Sequence, residues 1–86
     1  MLNKDINNEL KKIIVKNSRL KTSVANISDN SDLINDFGYD SVSLIELIVN
    51  IEQTFNITFN YDMLSIDIIS NFKNLCDCIK TTLKNS

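Results

Sequence analysis

From Met1 to Ser86 the chain contains no proline and a single glycine, Gly38. Hairpins of β-sandwiches and barrels need Gly, Asn-Gly or Pro at defined places, so this scarcity steers the chain away from sheet and towards helix. With 86 residues, 43% of them hydrophobic, the chain has material for one domain, 1–86, around one core. Its formal net charge of -2 and ordinary apolar fraction argue against disorder. There is no His, and the two Cys lie about 200° apart if residues 76–78 are helical. A shared metal, a disulfide between them and a Cys/His nucleophile pair are therefore disfavoured, Cys76 reads as a small core residue, and the chain is not expected to be an enzyme.

The net charge conceals a segregation along the chain. Met1 to Lys21 holds six cations against Asp5 and Glu9; Thr22 to Phe72 has no Lys or Arg and eight acids; the remainder has three Lys against Asp77. The middle is thus -8 between flanks of +4 and +2. Such a pattern suits either solvated polar faces or attraction of a basic partner surface to the middle segment. No apolar run approaches the roughly 20 residues of a membrane span, and the N-terminal segment lacks the apolar block of a signal peptide. A cytoplasmic location without membrane contact is expected.

Apolar periodicity predicts three main helices and a short one. Ile6, Leu10, Ile13, Asn17 and Leu20 form a stripe from Asn3 to about Lys21, with Lys4, Lys11, Lys12, Lys16 and Arg19 off it. That basic face is broken by Asp5 and Glu9 and has no aromatic for base stacking, so it reads as solvent-facing and nucleic acid is not expected as a partner. Thr22 to Asp40 reads as a long polar connection anchored by Ile27, Leu33, Ile34 and Phe37. Its acids do not make an EF-hand loop, because with Asp29 first the Gly position is Ile34 and the fifth ligand is Leu33.

Ser41 to Phe55 is the second main helix, with Asp40 as N-cap and an acidic first turn suited to the helix dipole. Leu44, Leu47, Ile48, Ile51 and Phe55 share its core face. Val42, Ile45 and Val49 fall on the opposite side or its shoulder with Glu46 and Gln53, either as an exposed partner stripe or covered by neighbouring loops. Ile57 to Phe59 reads as extended, Tyr61 to about Asp67 as the short third helix, and a final helix runs from about Ser70 or Asn71 to Lys84. Its buried stripe is Phe72, Leu75, Cys76, Ile79 and Leu83.

Ser41 is the candidate chemical site. It follows the Gly38 turn and opens a helix whose free N–H groups and positive dipole end would tolerate a phosphodiester. The plainer alternative is that Ser41 merely helps to cap that helix.

The run Asp36-Phe37-Gly38-Tyr39-Asp40-Ser41-Val42, in register with Leu44, Glu46-Leu47, Glu52 and Phe55, resembles the acyl and peptidyl carrier proteins, whose signature is a Gly-x-Asp-Ser-Leu turn opening the second helix. The resemblance spans nearly the whole chain and implies an all-α four-helix bundle of the acyl-carrier type, acting as a monomer. It implies that a phosphopantetheinyl transferase moves 4'-phosphopantetheine from coenzyme A to Ser41, flanked by Asp40. Cargo would then ride as a thioester on the arm and pass between loading enzymes (adenylation or acyltransferase) and condensing enzymes. Val42, Ile45, Glu46, Val49 and Glu52 match positions that contact partners. Val42 stands for the usual Leu, Ser43 where fatty-acid carriers often have Asp, and Gln53 where they often have Glu. These departures favour a free-standing carrier of a polyketide, nonribosomal peptide or D-alanyl pathway over fatty-acid synthesis. The alternative is a carrier-like interaction module that is never modified.

Overall fold

The computed structural model describes residues 3–85; Met1, Leu2 and Ser86 of the expected domain, and the side chain of Lys4, lie outside the described residues. Five α-helices follow one another: α1 Asn3–Asn17, α2 Leu33–Phe37, α3 Ser41–Phe55, α4 Ile66–Ile69 and α5 Phe72–Asn85. The all-helical bundle expected from the sequence is what the chain forms. Helix α1 packs on both α3 and α5, and α4 bridges α3 and α5.

Each long helix lays its apolar stripe into one core. Leu10, Ile14, Leu33, Leu47, Ile51, Phe72, Leu75 and Ile79 are wholly buried there. Each such side chain contributes about 1.5–3 kcal/mol of transfer free energy. Cys76 belongs to the same core, where burial pushes its thiol up to about 11, and both cysteines are free thiols.

The first helix departs from expectation at its end. It stops at Asn17, its buried line runs Ile6–Leu10–Ile14 while Ile13 is only half-buried, and Leu20 is exposed outside the helix. The Asn17 side-chain amide turns back to donate to the Ile13 carbonyl at 2.9 Å, and the Ser18 N–H donates to the Val15 carbonyl at 3.4 Å, an i to i−3 bond that closes the last turn as the chain leaves the helix. Lys11, expected in solvent, stands 5.8 Å over the Phe72 ring of α5.

The long connection is more ordered than its composition suggests. It carries a 3₁₀ turn at Val24–Asn26 and the five-residue α2, capped by Asp32, whose carboxylate accepts from the Ile34 and Asn35 N–H groups. Antiparallel pairing of Asp32 with Asn71 ties it to the start of α5, with Leu33 N–H on the Ser70 carbonyl at 2.7 Å and Phe72 N–H on that of Ser31 at 3.1 Å. Ile27, Leu33 and Phe37 are buried anchors, as their spacing indicated, and Ile34 is half-buried. The expected single short helix over Tyr61 to Asp67 is instead two pieces: a 3₁₀ turn at Tyr61–Met63 and α4, which begins after a Ser65 cap. No helix among the described residues is long and apolar enough to cross a membrane.

Candidate functional site

The N-terminus of α3 is built by a turn that favours glycine. Gly38 closes α2 with φ 75°, a left-handed conformation. A Cβ there would also stand 3.0 Å from Leu20 Cγ, because the segment leaving α1 lies against this turn. The next residue, Tyr39, is buried and donates its hydroxyl to the Ile14 carbonyl at 2.7 Å. The turn is thereby held against α1 by Tyr39 and against the segment that leaves α1 by Gly38.

Two residues then close the end of α3 between them. The Ser43 N–H donates to Asp40 Oδ1 at 2.8 Å, and the Asp40 N–H donates to Ser43 Oγ at 2.8 Å, a reciprocal capping box. The Ser43 hydroxyl also faces Asp40 Oδ1 at 3.0 Å. The Ser43 N–H and then its hydroxyl, with Arg19 adding to them, hold the Asp40 carboxyl below the usual carboxylate range. Arg19 Nη1 lies 3.2 Å from Asp40 Oδ2. The acid is at the cap alone: the first turn proper is Ser41, Val42 and Ser43, without the acidic residue the sequence reading placed there.

This geometry separates the two serines. Ser43 is buried at 7% exposure and engaged in the cap; Ser41 is exposed at the first helical position, and capping is done without it. A general base working near neutral pH needs a pKa near neutrality, and the depressed, cap-bound Asp40 does not have one. Ser41 therefore presents an accessible hydroxyl for which Asp40 is not a suitable base.

Along the same helix Val42, Ile45 and Val49 are 60%, 59% and 41% exposed. Neighbouring loops therefore do not cover Val42 or Ile45. Glu46 is exposed beside them, and α4, packed against α3, adds the exposed Ile66 and Ile68, which the sequence reading did not single out. Glu52 is placed differently from the rest of its set. Its Oε1 accepts from the Tyr61 hydroxyl at 2.6 Å and its Oε2 from the Phe59 N–H at 2.9 Å, so it latches the segment after α3 and is half-buried. A cleft of about 650 Å³, lined in part by Phe59, Leu64, Cys78 and Thr82, opens at this far end of α3, away from Ser41.

Two contributors to the site went unread in the sequence. Ser43 carries a signal, the Asp-x-x-Ser spacing of a capping box. Arg19 carries none, since it stands 21 positions before Asp40 and meets it only through the path of the chain after α1.

Comparison with known proteins gives three findings. Residues 8–79 match the family model described as a phosphopantetheine attachment site. The fold is similar to that of a carrier protein from Agrobacterium tumefaciens, in a crystal structure with an engineered Bradyrhizobium japonicum glycine:[carrier protein] ligase and ATP. The TM-score is 0.76 at 29% identity, over 88% of this chain and 97% of that one. It is also similar to hexanoyl ACP from the actinorhodin polyketide synthase of Streptomyces coelicolor, with a TM-score of 0.71 at 20% identity over 90% and 88% of the two chains.

Proposed function

Since the chain belongs to the family that bears a phosphopantetheine attachment site, we propose that it is an acyl or aminoacyl carrier whose 4'-phosphopantetheine is attached through the Ser41 hydroxyl. The observation that carries this assignment is the division of labour at the start of α3, where Asp40 and Ser43 complete the cap and Ser41 is left exposed. The residues present fit the group: an accessible hydroxyl, and a guanidinium at the adjoining carboxylate. In the transfer, Ser41 Oγ bonds to the pantetheine-bearing phosphorus of coenzyme A, the pyrophosphate bond breaks, and 3',5'-ADP leaves. The transferase supplies magnesium and the base that takes the hydroxyl proton. When attached, the arm supplies a thiol on which cargo is carried as a thioester.

The chain's own part is to hold the arm and to be recognised, with no bond-making of its own. Exposed Val42, Ile45 and Val49, edged by Glu46, offer partners an apolar face, and α4 adds the exposed Ile66 and Ile68, all in the segment that carries no cation. Basic partner surfaces would be steered to it, at a rate that falls as salt rises. Glu52, whose carboxylate accepts from the Phe59 N–H and the Tyr61 hydroxyl, is less free to meet a partner than the other four residues of its set. The Agrobacterium carrier seen with an engineered Bradyrhizobium ligase supports an activating, loading enzyme among the partners. A condensing enzyme would receive the cargo, in a polyketide, nonribosomal peptide or related pathway.

Incubation with coenzyme A and a broad-range transferase, followed by mass spectrometry, tests the assignment. One phosphopantetheine is expected on the wild type and none on Ser41→Ala; equal gain by the variant, or no gain by either, refutes it.

A further inference from the structure

Modification of Ser41 creates an electrostatic problem that the cap does not solve. The phosphodiester would sit one residue from Asp40, whose carboxyl the Ser43 N–H and hydroxyl hold in its ionised form. Two anions on consecutive residues repel, and the whole segment Thr22 to Phe72 offers no Lys or Arg to separate them.

The cation at this end of α3 comes from outside that segment. Arg19 Nη1 lies 3.2 Å from Asp40 Oδ2, with 61% of its side chain still exposed. Its place is set by its neighbours on both sides: Ser18 Oγ donates to the Phe37 carbonyl at 3.0 Å, and the Leu20 N–H donates to the same carbonyl at 3.4 Å. The bare Gly38 lets this segment close in, with Arg19 Cβ 3.5 Å from where a Cβ of Gly38 would be. Of the other cations of the first segment, Lys12 pairs with Glu9 and Lys11 stands over Phe72. A guanidinium has five N–H donors in a planar fork, so one nitrogen on Asp40 leaves others for phosphate oxygens.

We infer that Arg19 is the phosphodiester ligand of this site, its guanidinium bridging the Asp40 carboxylate and the phosphodiester on Ser41; the inference rests on the attachment proposed above. Arg19 thereby offsets the added charge and fixes the root of the arm relative to α3. The pair already present makes Arg19 an anchor set in place before modification.

The test compares wild type, Arg19→Gln and Arg19→Lys, each apo and each carried to full modification as confirmed by mass. In wild type, modification shifts the melting temperature little and moves the Arg19 Nε–Hε resonance. In Arg19→Gln the modified form melts lower than its apo form, by about 2–4 °C, the scale of one exposed charge pair in a domain of this size. Arg19→Lys recovers part of that difference, and about 1 M salt removes it. A role for Arg19 confined to the Asp40 pair would lower both forms alike. Equal losses in the two forms, or an Arg19 resonance unmoved by modification, overturns the inference. A wild type that gains no mass overturns the attachment itself and this inference with it, whereas wild type modified at Ser41 with equal losses in the two forms overturns the inference alone.

Discussion

The two ends of α3 are made from similar materials and do opposite things. At its C-terminal end, Asn56 adopts the left-handed conformation, Ile57 and Phe59 turn into the core, and Glu52 gives one oxygen to the Phe59 N–H and the other to the Tyr61 hydroxyl. At its N-terminal end the cap is closed by Asp40 and Ser43, leaving Ser41 and Val42 exposed, with Ile45 one turn further on. About 22 Å of helix, from its 15 residues, separates the two. One end is engaged in holding the fold together, and the other is rigid but chemically free. The difference teaches where to look for function: at the positions that folding has ordered without using their side chains.

If the comparison is right, the sharpest break runs around the helix as well as along it. Leu47→Ala, on the wholly buried face, should destabilise by about 2–5 kcal/mol in chemical denaturation. Val49→Lys, two residues on and 41% exposed, should change stability by less than about 0.5 kcal/mol while weakening loading by a partner enzyme. Normal loading of Val49→Lys would remove Val49 from the docking face.

A smaller contrast separates the ends themselves. Glu52→Ala should cost about 1–2 kcal/mol, since it leaves the Phe59 N–H without its charged acceptor. Ser41→Ala should cost less than about 0.5 kcal/mol, because the cap is complete without it. A large loss on Ser41→Ala would show the N-terminal end to be structural as well.

The smallest effect is in the acid range. The Asp40 carboxyl is depressed in the fold, so its contribution is present above the unfolded value and is lost as pH falls through the native one. Asp40→Asn, which retains capping ability, should flatten the acid limb of stability against pH, and Asp32, likewise depressed, should maintain part of that limb. An unchanged limb would remove Asp40 from the acid response.

The limits of α3, its Asp40 cap and its core face follow from periodicity and cap chemistry, which are local properties. The same arithmetic misplaced the end of α1, because Leu20 continues the helical stripe on paper while the chain leaves α1 after Asn17 to lie against Gly38. Within the connection, α2 was invisible: five residues are too few to show a period, and the helix is held by an Asp32 cap and by pairing with a segment nearly 40 residues later. Glu52 shows the same limit, since its spacing puts it with the outward residues and only the return of Phe59 and Tyr61 gives it partners.

Helix, cap and the candidate serine were thus determined by the sequence alone, because hydrophobic period and N-cap preference act within a few residues. Tertiary structure decided which of the outward residues are free. It left Val42, Ile45 and Val49 uncovered, engaged Glu52, and brought Arg19 to Asp40. Those outcomes depend on where distant backbone passes, and a separation of 21 positions carries no local signal of it.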